Sequence, residues 1–76
     1  MYRRIRDTRE DNDKSQKEIA DVLKCTQQTY SRYENGINEI PISRIKILAE
    51  YYETSIDYLV GLTNETKPYP RTKEIK

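Results

Sequence analysis

One segment constrains the fold of this chain more than any other part of the sequence. It runs from Ser15 to Gly36 and reads SQKEIADVLKCTQQTYSRYENG. Ser15 is followed three positions later by Glu18, the spacing of a capping box at the start of a helix. Apolar residues then recur at helical spacing as far as Leu23, and charged residues take the opposite side. The segment therefore predicts a short helix after Ser15, followed by a tight turn.

A second short helix is predicted directly after that turn, with Thr26 as its N-cap and Gly36 just beyond its end. At helical spacing Tyr30, Tyr33 and Ile37 share one face, which we expect to be buried. The opposite face is polar and carries Gln27, Gln28, Ser31, Arg32 and Asn35. Gln and Arg pair with adenine and guanine in the DNA major groove, although a polar helix face is more often simply solvated.

The two helices and their flanks together carry a family pattern. Its residues in the two helices are Ser15, Gln16, Glu18, Ile19, Ala20, Leu23 and the run from Thr29 to Gly36. Its flanking residues are Arg6, Arg9, Ile45, Leu48, Ala49, Ser55, Ile56, Asp57 and Leu59. The chain resembles the helix-turn-helix domains of the phage Cro and repressor family, also called XRE-like, without a gap over about residues 2–61. The resemblance implies an all-α, compact five-helix domain like that of lambda repressor, with the helix-turn-helix at helices 2 and 3.

The resemblance also implies a role for each polar residue of this region. The residues that would read bases are Gln27, Gln28, Ser31 and Arg32. The residues that would contact phosphates are Gln16, Thr26, Asn35 and Gly36. Arg9 and Glu34 would form an ion pair between helix 1 and the end of the recognition helix. Lys24 departs from the family pattern, because glycine often stands there and enters a left-handed turn more easily.

The remaining helices are predicted from apolar spacing and from caps. Helix 1 should run from Met1 to about Asp11, and helix 4 should have Pro41 as its first residue. The core-facing stripe of helix 4 is expected to be Ile42, Ile45, Leu48, Ala49 and Tyr52. A short helix 5 should be capped by Thr54 or Ser55, contribute Ile56, Leu59 and Val60 to the core, and end at Gly61.

Residues 1–62 are expected to form the domain, and residues 63–76 a flexible or extended tail that has prolines but no periodicity. Ile47 and Tyr51 lie off the helix 4 stripe. They are either the start of a dimer patch or ordinary scattered surface residues. Helix 5 and the residues after it are the expected dimer contact, by analogy with the family.

Composition excludes several functions. One cysteine and no histidine argue against an intrachain disulfide, a zinc site and histidine-based catalysis. No cofactor and no enzyme activity are expected, because no spacing assembles a nucleophile, a base and an orienting group, and a five-helix chain of this size leaves little room for a substrate pocket. The absence of a long apolar run or signal pattern indicates a cytoplasmic protein without a membrane partner. The net charge is only +1, from 14 basic and 13 acidic residues, so positive potential must come from the placement of charges.

The sequence thus favours a sequence-specific DNA-binding transcriptional regulator of the repressor type. Its partner would be double-stranded DNA with a near-palindromic operator, bound by a homodimer. The alternative is a protein-interaction module, such as an antitoxin-type partner, in which DNA binding is secondary. The near-neutral charge favours that alternative.

Overall fold

The computed structural model of the protein describes residues 2–67 and has five helices but no strand within that range. The helices are α1 (Arg3–Asp11), α2 (Gln16–Leu23), α3 (Gln27–Glu34), α4 (Ile42–Tyr51) and α5 (Ile56–Leu59). This all-helical architecture confirms the predicted fold class, and α2 packs against α3 as a helix-turn-helix requires. None of these helices is both long enough and apolar enough to cross a bilayer.

The capping box predicted for α2 is present. The Ser15 Oγ accepts a hydrogen bond from the Glu18 amide at 3.0 Å, and the Ser15 amide donates to Glu18 Oε1 at 2.8 Å. Two amide groups that the first helical turn leaves without partners are therefore satisfied. The hydrogen bond from the Ser15 amide is also the main reason why the pKa of the Glu18 carboxyl lies below its usual value.

The turn between α2 and α3 is made by Lys24 in the left-handed region, with φ 59° and ψ 43°. The amide of the next residue, Cys25, donates back to the carbonyl of Ala20 at 3.0 Å and closes the end of α2. Thr26 then caps α3, because its Oγ1 accepts from the Thr29 amide at 3.1 Å. The turn therefore has the expected shape, with a lysine in a conformation that favours glycine.

The core lies between the five helices: α2 packs on α3 and α4, α1 packs on α3 and α5, and α4 packs on α5. It is formed by Ile5, Ile19, Ala20, Leu23, Tyr30, Tyr33, Ile40, Ile45, Leu48, Ala49 and Leu59. Seven of these residues are at most 2% exposed, which is dense burial for a chain with only 34% hydrophobic residues. Tyr2, Tyr52, Ile56 and Val60 pack around this cluster and are partly buried.

Two core assignments were wrong. Ile37 is 68% exposed, because α3 ends at Glu34 and Gly36, with φ 76°, turns the chain away from the helical path. Ile42 is 60% exposed, because it is the first residue of α4, and Pro41 is the N-cap instead of a helical residue. Ile40, in the preceding loop, supplies the buried side chain at this edge of the core, with 5% exposure.

The remaining differences are at helix ends. α1 begins at Arg3, one residue after the partly buried Tyr2, while Met1 lies outside the described residues. Ser55 caps α5 by accepting from the Tyr58 amide at 3.0 Å, and Gly61 follows the helix with φ 87°.

The segment after α5 returns to the body of the domain. Arg4 donates to the carbonyls of Tyr58 and Thr63, at 3.1 and 2.8 Å, and to Asn64 Oδ1 at 2.6 Å. Thr54 Oγ1 donates to the carbonyl of Thr66 at 2.7 Å. The described part of the predicted tail, residues 63–67, is thus held by side chains of the domain, and residues 68–76 lie outside the described range.

Candidate nucleic-acid interface

The outward face of α3 presents three long polar side chains. Gln27, Gln28 and Arg32 are exposed, and none of them makes a side-chain hydrogen bond or ion pair within residues 2–67. Their amide and guanidinium groups are therefore available to a ligand. Ser31 is half-buried beside them, and its Oγ accepts a hydrogen bond from Asn35 Nδ2 at 3.3 Å.

These side chains line one open concavity of about 530 Å³ together with the start of α2. Its lining residues are Gln16, Gln27, Gln28, Ser31, Arg32, Asn35 and Ile37. The structure thus brings together all four residues predicted to read bases and two of the four predicted to contact phosphates. Ile37, which was expected in the core, is the apolar member of this surface.

Two tyrosines on the opposite face of α3 fix the helix in place. Tyr30 is fully buried and Tyr33 is 8% exposed. Burial strongly raises the pKa of the Tyr30 phenol, so the ring stays neutral at any ordinary pH. Arg44 of α4 donates to the Tyr33 hydroxyl, and its Cζ lies 5.9 Å from the centroid of the Tyr33 ring. The polar face of α3 is therefore held outward by a rigid attachment to the core.

A buried carboxylate joins three helices beneath this surface. Glu34, at the last turn of α3, has a side chain that is 2% exposed. Arg9 of α1 donates to it from Nε at 2.7 Å and from the second guanidinium nitrogen at 3.2 Å. Gln16 of α2 donates from Nε2 to Glu34 Oε1 at 3.0 Å. The two residues that the family resemblance pairs are in contact, and Gln16 is a third member of the network.

Burial alone would raise the pKa of Glu34, since a desolvated carboxylate is costly. Interactions with Arg9, with the Tyr30 hydroxyl and with Gln16 outweigh that effect, and the pKa of the Glu34 carboxyl lies below its usual value. Hydrogen bonding to Glu34 likewise raises the pKa of Arg9. The network therefore holds one negative and one positive charge at neutral pH.

The other two predicted phosphate contacts are already used within the domain. Thr26 Oγ1 accepts from the Thr29 amide and donates to Thr29 Oγ1 at 2.9 Å. The Gly36 amide donates to the Tyr33 carbonyl at 3.2 Å. Both groups stabilise the ends of α3, so a phosphate would have to share them with these partners.

Charge is sparse on this surface. Among the described residues that line the concavity, Arg32 is the one basic side chain. Residues 37–40 carry no lysine or arginine, and the exposed Glu39 lies among them. Lys17, next to Gln16, forms an ion pair with Asp21 at 3.6 Å. Hydrogen-bonding groups, more than cations, characterise this face.

Comparison with known proteins agrees with the geometry. A family described as "Helix-turn-helix" matches residues 5–59. The chain is 30% identical to the uncharacterized HTH-type transcriptional regulator YobD of Bacillus subtilis (strain 168), over all of this chain and 69% of that protein. It is 37% identical, over 74% of its length, to uncharacterized HTH-type transcriptional regulators of Rickettsia conorii (strain ATCC VR-613 / Malish 7) and Rickettsia prowazekii (strain Madrid E). The match spans 46% and 44% of those two proteins. No solved structure gives a significant match.

Proposed function

The chain belongs to the helix-turn-helix family, of the Cro and repressor type, and from that premise we propose that it is a DNA-binding transcriptional regulator. We infer further that it is a repressor that reads its operator with α3 in the major groove. The observation that carries this proposal is the set of unpartnered Gln27, Gln28 and Arg32 side chains on a helix whose other face is anchored in the core.

Each of these side chains has a suitable partner on a base edge. Glutamine forms paired hydrogen bonds with adenine, and arginine with guanine, and each good pair discriminates by ~1–3 kcal/mol against the wrong base. The major groove is wide enough to admit an α-helix, and the eight-residue α3 would enter it with its first turn toward the bases. Gln16 and Asn35, at the rim of the concavity, are the proposed phosphate contacts.

The protein would act as a homodimer on a near-palindromic operator. Two recognition helices then enter successive major grooves, ~34–36 Å apart. Sizing of the protein in solution and on its selected duplex tests this part of the proposal: a complex with one chain per duplex would contradict it.

Selection of bound duplexes from random DNA, followed by affinity measurements on variants, tests the base contacts. Gln28→Ala and Arg32→Ala should each weaken binding to the selected sequence by about tenfold or more, and binding to random DNA far less. Arg6→Ala is the matched control, because Arg6 is exposed on α1 and pairs with Glu10 at 3.2 Å. A uniform loss on all sequences for Gln28→Ala and Arg32→Ala would make those residues phosphate contacts.

A protein-interaction module remains the second candidate, supported by the net charge of +1 and by the exposed Ile47 and Tyr51 on α4. The two functions differ in their response to salt. Binding of the repressor to its operator weakens as salt is raised, since counterions are released when phosphates are contacted. A chain that acts only through a protein partner would select no duplex at all.

A further inference from the structure

The contact between Gln16 and Glu34 has a chemical direction. A carboxylate only accepts hydrogen bonds, so the Gln16 carboxamide must turn its nitrogen toward Glu34, with Nε2 to Oε1 at 3.0 Å. That nitrogen carries two hydrogens, and Glu34 takes one of them. Gln16 is half-buried and lines the open concavity, so the second hydrogen is available on the outer side.

We propose that Glu34 is a positioning residue for DNA binding, which turns the Gln16 side chain so that its free N–H meets a phosphate. This inference rests on the proposed function and adds a role to Glu34 beyond its ion pair with Arg9. Without the carboxylate, the amide rotates freely and presents its oxygen to the phosphate as readily as its nitrogen, and two acceptors repel each other.

Arg9 makes this arrangement compatible with DNA. An unneutralised carboxylate beneath the phosphate-binding rim would repel the backbone, but the Arg9 guanidinium holds Glu34 through two hydrogen bonds, at 2.7 and 3.2 Å. Arg9 is bound in turn to the carbonyl of Lys14, at 2.9 Å, just before α2. The same network therefore fixes the start of α2, which carries Gln16, against the end of α3.

The proposal is tested by replacing the phosphates of the selected duplex, one at a time, with neutral methylphosphonates and measuring the affinity of the full chain for each duplex. Replacing the phosphate that Gln16 contacts should lower the affinity of the unaltered protein by about tenfold, and Gln16→Ala should abolish the effect at that position. Glu34→Gln should weaken it as well, because a carboxamide offers a donor as readily as an acceptor and no longer fixes the orientation of Gln16, while the effects at other phosphates persist. A variant that is merely less stable would bind more weakly overall, and it would not lose the methylphosphonate effect at one phosphate alone.

Glu10→Gln is the matched control. It makes the same chemical change beside the same arginine, since Glu10 lies 3.8 Å from Arg9, but Glu10 is half exposed and does not contact Gln16. It should keep the full pattern of phosphate effects. If Glu34→Gln also keeps the full effect at the Gln16 phosphate, Glu34 is not a positioning residue, although the proposed function stands.

If the Glu34→Gln variant does not fold, the contact can be measured directly in the complex of the unaltered protein with DNA. An NMR coupling through the hydrogen bond, from Gln16 Nε2 to the Glu34 carboxyl carbon, should be present in the DNA-bound protein, and its absence there overturns the proposal. Failure to select any duplex would remove the proposed function and this inference together.

Discussion

Replacing Arg9 by methionine should destabilise the domain severely, because it leaves the Glu34 carboxylate buried without a counter-charge. The two side chains are 12% and 2% exposed, and both guanidinium contacts to Glu34 would be lost. The hydrogen bond to the Lys14 carbonyl, at 2.9 Å, would be lost too. Methionine preserves most of the length and apolar volume of the side chain, so the change is mainly one of charge.

Removing one partner of a buried ion pair costs ~3–5 kcal/mol. A domain of this size has a total unfolding free energy of about 4–11 kcal/mol, from ~0.05–0.15 kcal/mol per residue. The variant should therefore lose a large share of its stability, and its melting temperature should fall by more than about 12 °C.

The loss should depend on pH. In the unaltered protein the pKa of Glu34 is lowered, so its ionised form stabilises the fold above the unfolded pKa, and this contribution is lost as the pH falls through the folded pKa. Without Arg9, burial dominates and raises the folded pKa above the unfolded value. The ionised carboxylate is then destabilising at neutral pH, and protonation removes that penalty. The difference between the two proteins should shrink on acidification toward pH ~4.

Urea unfolding of both proteins at neutral and acidic pH measures these differences. Arg6→Met is the matched control: the same substitution in the same helix removes an exposed ion pair, with side chains 59% and 51% exposed, and should cost less than about 1 kcal/mol. A loss for Arg9→Met as small as that of Arg6→Met, or one that is equal at both pH values, would refute the argument from the buried charge.

Three further substitutions test separate features. Lys24→Gly should stabilise the domain by roughly 0.5–1 kcal/mol in urea unfolding, since Lys24 has φ 59°, whereas Lys46→Gly within α4 should destabilise it by ~1 kcal/mol. Ser15→Ala removes the capping box and should lower the unfolding free energy by about 1 kcal/mol. An unchanged unfolding free energy would argue against a stabilising cap at this position. Ile37→Lys adds a cation beside Arg32 and should tighten selected and random DNA alike, increasing the salt slope by about 0.9; a gain confined to the selected sequence would contradict this.

The sequence predicted most of the fold because its strongest signals are local. The capping box at Ser15 and the cap at Thr26 involve residues three positions apart, and both are present. The inward tyrosines follow from helical periodicity within one short helix. Such features depend little on the rest of the chain.

Both errors lie at the ends of helices, where helical periodicity no longer decides which side chains are buried. Ile37 follows Gly36, whose left-handed backbone redirects the chain away from the helical path. Ile42 is the first residue of α4, and its side chain lies at the exposed start of that helix. Ile40 has no periodic context at all, because it lies in a loop, and its burial depends on the packing of helices distant in sequence.

Contacts between separate helices could not be predicted from the sequence either, because they also depend on how distant segments pack. The Arg9–Glu34 pair was implied by family resemblance, since nothing local relates two residues 25 positions apart. The third member, Gln16, is 18 positions from Glu34, and its contact is visible only once α1, α2 and α3 are packed. Likewise, no pattern indicated that Arg4 would hold Thr63 and Asn64.

The energetics of this surface support the proposal of two copies on one operator. The three side chains proposed to read bases would supply about 3–9 kcal/mol of discrimination per domain, at ~1–3 kcal/mol each. The sequence-independent attraction to phosphates is weak, because Arg32 is the one basic side chain among the described residues of the concavity. Specific regulators bind with ~11–15 kcal/mol, which one such surface does not reach after the loss of rotational and translational freedom. A second recognition helix held at a fixed distance contributes its contacts without repeating that loss, so the sparse charge of the interface is itself an argument for the homodimer.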